Sequence, residues 1–418
     1  MILNLFNIDK QKLKYFILLL SEKLILICFH LYFVNQISRD LYGIFTQTNY
    51  IASFVSNLLL FGIAIPFLIN STKTKNEYNT TLFQFFKSLS ILISFFIFPF
   101  FILFSFYFSS IIYGESGYSN YLIILLLTII ADIVSEYYNL HNRINSNLII
   151  HSNFILSRTV VRLVVLISAY LLLNDFLIAY GISSLIYLLF IIIFSNKIGF
   201  FSIKIFKEFK HLKKSIYELF SDGYKFLALY LLGTLSGLLI NLILVNQFNI
   251  ETLAIYTFNL TLASIPITLS QYITFYSLPD FSEKYNLNKS LGKKSLIKDI
   301  FFAISVFTVI FILFYFFYDY IFLNFINPDY SSKTLFMLIF LANTLYMLNN
   351  FIQFPLLSDN KYSSILIIIF ISVFVNITYL YLSVNSMTIL TPVVGLLIAN
   401  SLIFILLCSY NFFRNYVK

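Results

Sequence analysis

Apolar runs of about twenty residues, separated by short polar gaps, recur along the whole chain. A bilayer core of about 30 Å needs roughly 20 helical residues, so each run is long enough to cross a membrane as a helix. Twelve such spans are expected, at 14–34, 42–69, 82–109, 120–139, 152–173, 176–195, 219–246, 252–278, 300–323, 333–357, 363–382 and 391–411. Membrane barrels are built from alternating strands of about ten residues. Runs such as "SILIIIFISVFV" do not alternate, so helices are expected throughout.

Composition agrees with this pattern. Of 418 residues 60% are hydrophobic and 11% charged, more apolar surface than a soluble core of this size could hide. Charge changes the picture only by orienting it. With the N-terminus inside, 20 of the 27 basic residues fall in cytoplasmic segments and only Arg39 and Lys333 in outer loops. The positive-inside rule therefore places both termini in the cytoplasm and accounts for the net charge of +9 without invoking nucleic acid. In a background lacking Cys28 and Cys408, single cysteines at Ser202 and Ser290 should be shielded from impermeant thiol reagents in intact cells, while one at Ser119 should label. Labelling at Ser202 in sealed cells would reverse the orientation.

Met1 to Val34 reads as an uncleaved anchor, since no small-residue cleavage site follows the first span. Cys28 and Cys408 fall inside spans and are expected to be buried apolar thiols. Neither a disulfide framework, a metal site nor a cofactor motif is encoded. "SLGKKS" at 290–295 lacks the earlier glycine of a phosphate-binding loop. The outer loops, about ten residues or fewer, leave no room for catalytic groups, so the chain does not read as an enzyme.

Six spans precede the most basic connector and six follow it. The chain is therefore read as an N-terminal lobe (1–196), a basic amphipathic cytoplasmic connector (197–218) and a C-terminal lobe (219–418). Within the connector Phe201, Ile205, Phe209, Leu212, Ile216 and Leu219 step by three or four, with lysines largely on other faces. Such a helix suits the anionic inner leaflet. A parallel repeat is visible at an offset of about 211 residues. "LYGIFTQTNYIASF" corresponds to "TLAIYTFNLTLASI", and Tyr118 of "GESGYSNYLIILL" to Tyr330 of "INPDYSSKTLFML".

The segments "ISRDLYGIFTQTNYIASFVSNLLLFGIAIPFL", "ETLAIYTFNLTLASIPITLSQYITFYSLPDFSEK" and "NPDYSSKTLFMLIFLANTLYMLNNFIQFPLLSDNKY" resemble the second, eighth and tenth helices of bacterial polysaccharide flippases of the Wzx type. The resemblance covers almost the whole chain through diffuse motifs. It implies the multidrug, oligosaccharidyl-lipid and polysaccharide exporter superfamily, an all-α membrane fold of two six-helix lobes around a cavity that opens alternately to each face. The substrate implied is an undecaprenyl-pyrophosphate-linked repeat unit of O-antigen or capsule. The partners implied are that substrate, membrane lipids and polysaccharide assembly proteins. A cation-coupled drug antiporter of the same superfamily would share the fold. A major-facilitator carrier would show a Gly-Asp-Arg-Gly-Arg pattern after span two, where "NSTKTKNEYN" stands instead.

Charges inside the spans are the candidate chemistry. Asp132 and Glu136 in span four, and Arg158 and Arg162 in span five, are each four residues apart and so share a helix face. Each ionised group left alone costs about 2.5–3.5 kcal/mol at mid-membrane on insertion scales, so the four are expected to interleave. Measured from a turn near residue 145, Glu136 lies nearest the inner face, Arg158 beside Asp132, and Arg162 deepest. The arginines are stitches between helices or, with a fork that suits phosphate oxygens, substrate contacts. Lys23, beside Glu22, and Lys225 are further anion contacts by the resemblance, although both sit where a lysine can snorkel to headgroups. Gln47, Asn49 and Asn259, on spans two and eight, are candidates for a sugar path, as are Tyr256 and Tyr272 for stacking. His30 is read as a helix-to-helix hydrogen bond before a proton site.

Overall fold

The computed structural model describes residues 10–60, 78–144, 148–195, 209–267, 281–285, 287–359 and 361–416. Its helices, numbered in chain order, are α1 (Lys10–Phe33), α2 (Arg39–Leu59), α3 (Tyr78–Leu103), α4 (Ser105–Tyr113), α5 (Tyr121–Ile144), α6 (Leu148–Leu173), α7 (Phe176–Ser195), α8 (Phe209–Gln247), α9 (Ile250–Leu262), α10 (Lys289–Phe325), α11 (Lys333–Ile352), α12 (Phe354–Ser358), α13 (Tyr362–Leu382) and α14 (Thr391–Tyr416). All regular structure among the described residues is helical, and a helix stands at each of the twelve expected spans. Nine of these helices are long and apolar enough to cross a membrane. Their outward faces carry large apolar side chains, such as Phe96 (73% exposed), Leu172 (83%) and Leu382 (75%), which water would not tolerate in such number and lipid would.

Three expected spans are broken, the eighth where α9 ends at Leu262 and helix resumes at 265 after a turn. The third becomes α3 and α4, which meet at Phe104, where the backbone leaves helical geometry at ψ 23°. The tenth becomes α11 and α12, because Pro355 has no N–H to continue the ladder. Conversely, α8 runs unbroken for 39 residues through the end of the expected connector and span seven. The connector's residues 197–208 lie outside the described set. Helix α10 starts at Lys289, eleven residues before its expected span, on the Asn288 side chain that accepts from the Ser290 N–H at 2.9 Å.

The chain divides into two compact units, 1–29 with 44–231, and 30–43 with 232–418. The division falls inside α8, and the second unit takes in the corner between α1 and α2. In the first unit α5 is the central helix, with 78% of its apolar window buried, packed against α3, α6 and α7. Ser90 ties α3 to α2 by donating to the Leu59 carbonyl at 2.6 Å, and lies 3.0 Å from the Tyr137 hydroxyl of α5. In the second unit α14 packs on α11 and α13. Asparagines cross-link this unit: Asn343 donates to the Ala263 carbonyl (2.7 Å), Asn349 to Asn400 (3.0 Å), and Asn400 to Ala342 (3.0 Å). An amide at membrane depth has no water to bond, so it bonds a neighbouring helix.

The 30–43 corner is held within the second unit. The His30 ring Nδ1 lies 2.7 Å from the Tyr42 hydroxyl, Asn35 donates to the Phe325 carbonyl at 2.8 Å, and Arg39 pairs with Glu251 at 3.3 Å. At Gly43 an added Cβ would lie 2.4 Å from the Ile250 carbonyl oxygen, so only glycine permits that approach. Tyr330 closes the corner, its ring 5.7 Å from that of Tyr42, and burial holds its phenol well above the ordinary range. Short 3-10 turns occupy Ser116–Tyr118 and Pro328–Tyr330, 212 residues apart, as the sequence repeat does.

Cys28 and Cys408 are exposed on the helix surfaces, not buried. An apolar thiol is equally at home against lipid and in a core, and these two face outward.

Candidate functional site

Three helix faces of the first unit assemble one polar cluster. On α5, Asp132, Ser135, Glu136 and Asn139 follow the i, i+3, i+4, i+7 pattern that keeps them on one side. On α6, His151, Arg158 and Arg162 fall at i, i+7 and i+11. On α7, Tyr180, Ser183 and Tyr187 fall at i, i+3 and i+7. Helices α1 and α2 complete it with Glu22 and Asn49.

Glu136 is the pairing partner of Arg158: the guanidinium Nη1 donates to its Oε1 at 3.1 Å and also to the Ser135 hydroxyl. This corrects the expected register, in which Arg158 lay beside Asp132. Helical side chains lean toward the N-terminus of their own helix. The expected turn near residue 145 lies outside the described residues, but Arg158 leans toward the start of α6, which puts it at the level of Glu136 near the end of α5.

Asp132 is instead bonded by the Tyr187 hydroxyl at 2.9 Å. Arg162 lies over the Tyr187 ring, 5.0 Å from its centroid, and donates through Nη2 to the Asn49 side-chain oxygen. Tyr180 donates to the same oxygen at 2.9 Å, and Ser183 donates to the Arg162 carbonyl at 2.8 Å. Acid and base on this second rung are thus linked through a phenol and not by direct contact. Within the cluster Glu22 is buried and accepts from the Thr159 hydroxyl at 2.9 Å, with Lys23 at 3.4 Å from its other oxygen. Three acidic side chains (Glu22, Asp132, Glu136) share the cluster with three basic ones (Lys23, Arg158, Arg162), so their formal charges cancel. That balance is what lets it sit inside a helical membrane bundle.

A cavity of about 230 Å³ opens beside the Arg158–Glu136 pair, lined by Leu60, Glu136, Asn139, Leu140, His151, Ile155 and Arg158. Asn139 donates to Glu136 Oε1 at 3.3 Å, while its own Oδ1 is buried with no hydrogen-bond partner. The bonds of Arg158 run through Nη1, which leaves Nε and Nη2 without a partner among the described residues.

Other expected site residues stand elsewhere. Gln47 is fully buried and donates to the Ile112 carbonyl at 3.2 Å. Asn259 belongs to the second unit, where it donates to the Ile255 and Tyr330 carbonyls at 2.8 and 3.0 Å and accepts from the Tyr318 hydroxyl at 3.2 Å. Lys225 lies 5.7 Å from the Tyr224 ring on α8. Tyr256 is buried, and Tyr272 lies outside the described residues. Ser135, Asn139, His151, Thr159, Tyr180, Ser183 and Tyr187 were not picked out from the sequence. Tyr180, Ser183 and Tyr187 had a readable signal, a single polar stripe along an otherwise apolar helix.

No family model and no curated protein matches the chain. Solved structures do, over nearly its full length. The inward closed conformation of the lipid II flippase MurJ aligns with TM-score 0.70 at 12% identity, covering 95% of this chain and 87% of that one. The Vibrio cholerae MATE transporter VcmN, as a D35N mutant, aligns at 0.67 and 15%, covering 96% of each chain. An inward-facing multidrug resistance MATE transporter of the MOP superfamily aligns at 0.59 and 12%, covering 95% and 97%. At these identities the likeness is one of fold: a multi-pass helical membrane protein with the MOP and MATE-like architecture.

Proposed function

We propose that this chain is a flippase that carries a lipid-linked, phosphate-bearing saccharide across the bacterial cytoplasmic membrane by alternating access, making and breaking no covalent bond. The class of substrate is that of undecaprenyl-pyrophosphate-linked repeat units of O-antigen or capsule. The observation that carries this reading is the pair of guanidinium groups on one face of α6, each anchored by only part of its donor set, Arg158 on Glu136 and Ser135 and Arg162 on Asn49. A planar fork with donors to spare inside a membrane helix bundle suits phosphate oxygens better than a cationic drug. Lys23 and Lys225 add positive charge to the same unit. The fold likeness to a lipid II flippase points the same way. Membrane lipids and polysaccharide assembly proteins are the partners this function needs, and both termini face the cytoplasm.

A second reading, a cation-coupled antiporter, is favoured by one feature: the buried Glu22 carboxylate, whose Oε2 lacks a hydrogen-bond donor beyond the nearby Lys23 ammonium. Deleting the gene and analysing the lipid-linked intermediates separates the readings. Completed repeat units are expected to build up on the cytoplasmic side. Unchanged intermediates with new drug sensitivity would favour the antiporter, and incomplete units would point to a transferase.

A further inference from the structure

We propose that the cavity between the end of α2, α5 and the start of α6 binds a phosphate ester that carries a neighbouring hydroxyl group. Its volume, about 230 Å³, leaves room for one phosphorylated pyranose or a glycerophosphate headgroup.

The lining separates donors from acceptors. Arg158 holds Nε and Nη2 unspent, because Glu136 and Ser135 engage it through Nη1. A guanidinium edge fixed from one side and open on the other is preorganised for two phosphate oxygens. The carboxylate of the pair supplies the acceptor. Glu136 uses Oε1 for Arg158 and Asn139, and its side chain remains 35% exposed. The Asn139 side chain lines the cavity, and its buried Oδ1 has no partner. That oxygen is shielded from the cavity, so the acceptor open to a ligand hydroxyl is the part-exposed Glu136 carboxylate, engaged through Oε1 alone. Leu60, Leu140 and Ile155 supply the apolar wall on which the C–H face of a sugar ring packs.

The carboxylate decides between ligands. A bare phosphate dianion would meet Glu136 as a like charge. An ester with an adjacent hydroxyl would donate to that carboxylate while its phosphate takes Arg158. Two sources share this chemistry, the sugar phosphate of a lipid-linked saccharide and the headgroup of phosphatidylglycerol. Assigning the first as physiological rests on the flippase reading; the binding itself does not.

The test uses the purified full chain in detergent and isothermal titration with glucose 1-phosphate, inorganic phosphate and glucose. Glucose 1-phosphate is expected to bind at least tenfold tighter than either of the others. Arg158→Gln should weaken it tenfold or more, and Glu136→Gln, which removes the like charge, should narrow the preference over inorganic phosphate. Because Arg158→Gln strands Glu136 and risks misfolding, Arg158→Gln with Glu136→Gln is the companion variant. It should fold and still fail to bind, and retained binding there overturns the proposal. Equal binding of inorganic phosphate and glucose 1-phosphate, or no binding to the wild-type chain, also overturns it. Nanodiscs of phosphatidylglycerol against phosphatidylcholine distinguish the sources: loss of glucose 1-phosphate binding only in the former supports the site with the headgroup as its occupant, and undiminished binding supports the saccharide. Binding without build-up of lipid-linked units in the deletion strain would sink the flippase reading and leave the site standing.

Discussion

Replacing Arg162 with glutamine is expected to remove most of the folded protein from the membrane, and adding Asp132→Asn to the same chain is expected to bring it back. Arg162 holds three partners in register: Asn49 through Nη2, Tyr187 through its ring face, and through Tyr187 the Asp132 carboxylate at 2.9 Å from the phenol. Without the guanidinium, Asp132 keeps a hydrogen bond but loses the cation on its own rung. Breaking a buried pair from one side costs about 3–5 kcal/mol. The bridged geometry puts this case near the lower figure, about 3 kcal/mol, or roughly a hundredfold at 1.4 kcal/mol per tenfold. Neutralising Asp132 as well removes the stranded charge, so the double variant should be additive in neither direction. Abundance is read by size-exclusion chromatography of a fluorescently tagged chain after detergent extraction. Normal abundance of the single variant would show that the rung contributes nothing to stability. A double variant no better than the single would break the proposed coupling. Export is a separate readout: restored abundance without export keeps Arg162 as a substrate contact, whereas full export by the double variant removes it.

The four charges were readable because ionised groups inside apolar runs are costly enough to need partners, and the partners had to lie on neighbouring helices. Their register was not readable from Cα counting. Distance from a turn expected near residue 145 put Arg158 level with Asp132, but the lean of helical side chains shifts a long arginine toward the start of α6 and onto Glu136. The same lean places Arg162 at the level of Asp132, where the two are joined by Tyr187. That phenol belongs to α7, and no charge marked it. The cavity was invisible for a different reason. Its lining combines Leu60 just after α2, Leu140 of α5 and Ile155 of α6 with the pair itself, a property of packing rather than of any one segment.

Helix positions followed the hydropathy pattern closely, since length and apolarity alone decide what can cross a bilayer. None of the breaks within spans was expected from the pattern. Pro355 marks one of them, while the break at Phe104 lies five residues beyond Pro99, which itself remains inside α3. Which apolar residues face lipid was not readable, because core and lipid select the same side chains. Cys28 and Cys408 illustrate the consequence.

Gly395→Ala is expected to destabilise the second unit, and Asn376→Ala in the same chain to repair most of the loss. Gly395 lies on α14, where a Cβ would stand 2.3 Å from Asn376 Oδ1 and 3.1 Å from Tyr379 Cδ1 of α13. No real Cβ is tolerated at the first distance, so either the helices separate or the amide turns. Burial, and not hydrogen bonding, restrains that turn. Asn376 is fully buried, and neither of its side-chain polar atoms has a hydrogen-bond partner. Small residues at a helix crossing allow this approach, and overpacking it costs about 1–3 kcal/mol. Shortening Asn376 removes the colliding oxygen together with a polar group that the fold leaves unsatisfied, so the double variant should regain most of the loss, and Asn376→Ala alone should be close to neutral. Thermal midpoints of the detergent-extracted chain, followed by fluorescence-detected chromatography after heating, measure all three. A Gly395→Ala protein as stable as the parent would show that α13 and α14 are free to part. A double variant as unstable as Gly395→Ala would move the collision from Asn376 to the Tyr379 ring.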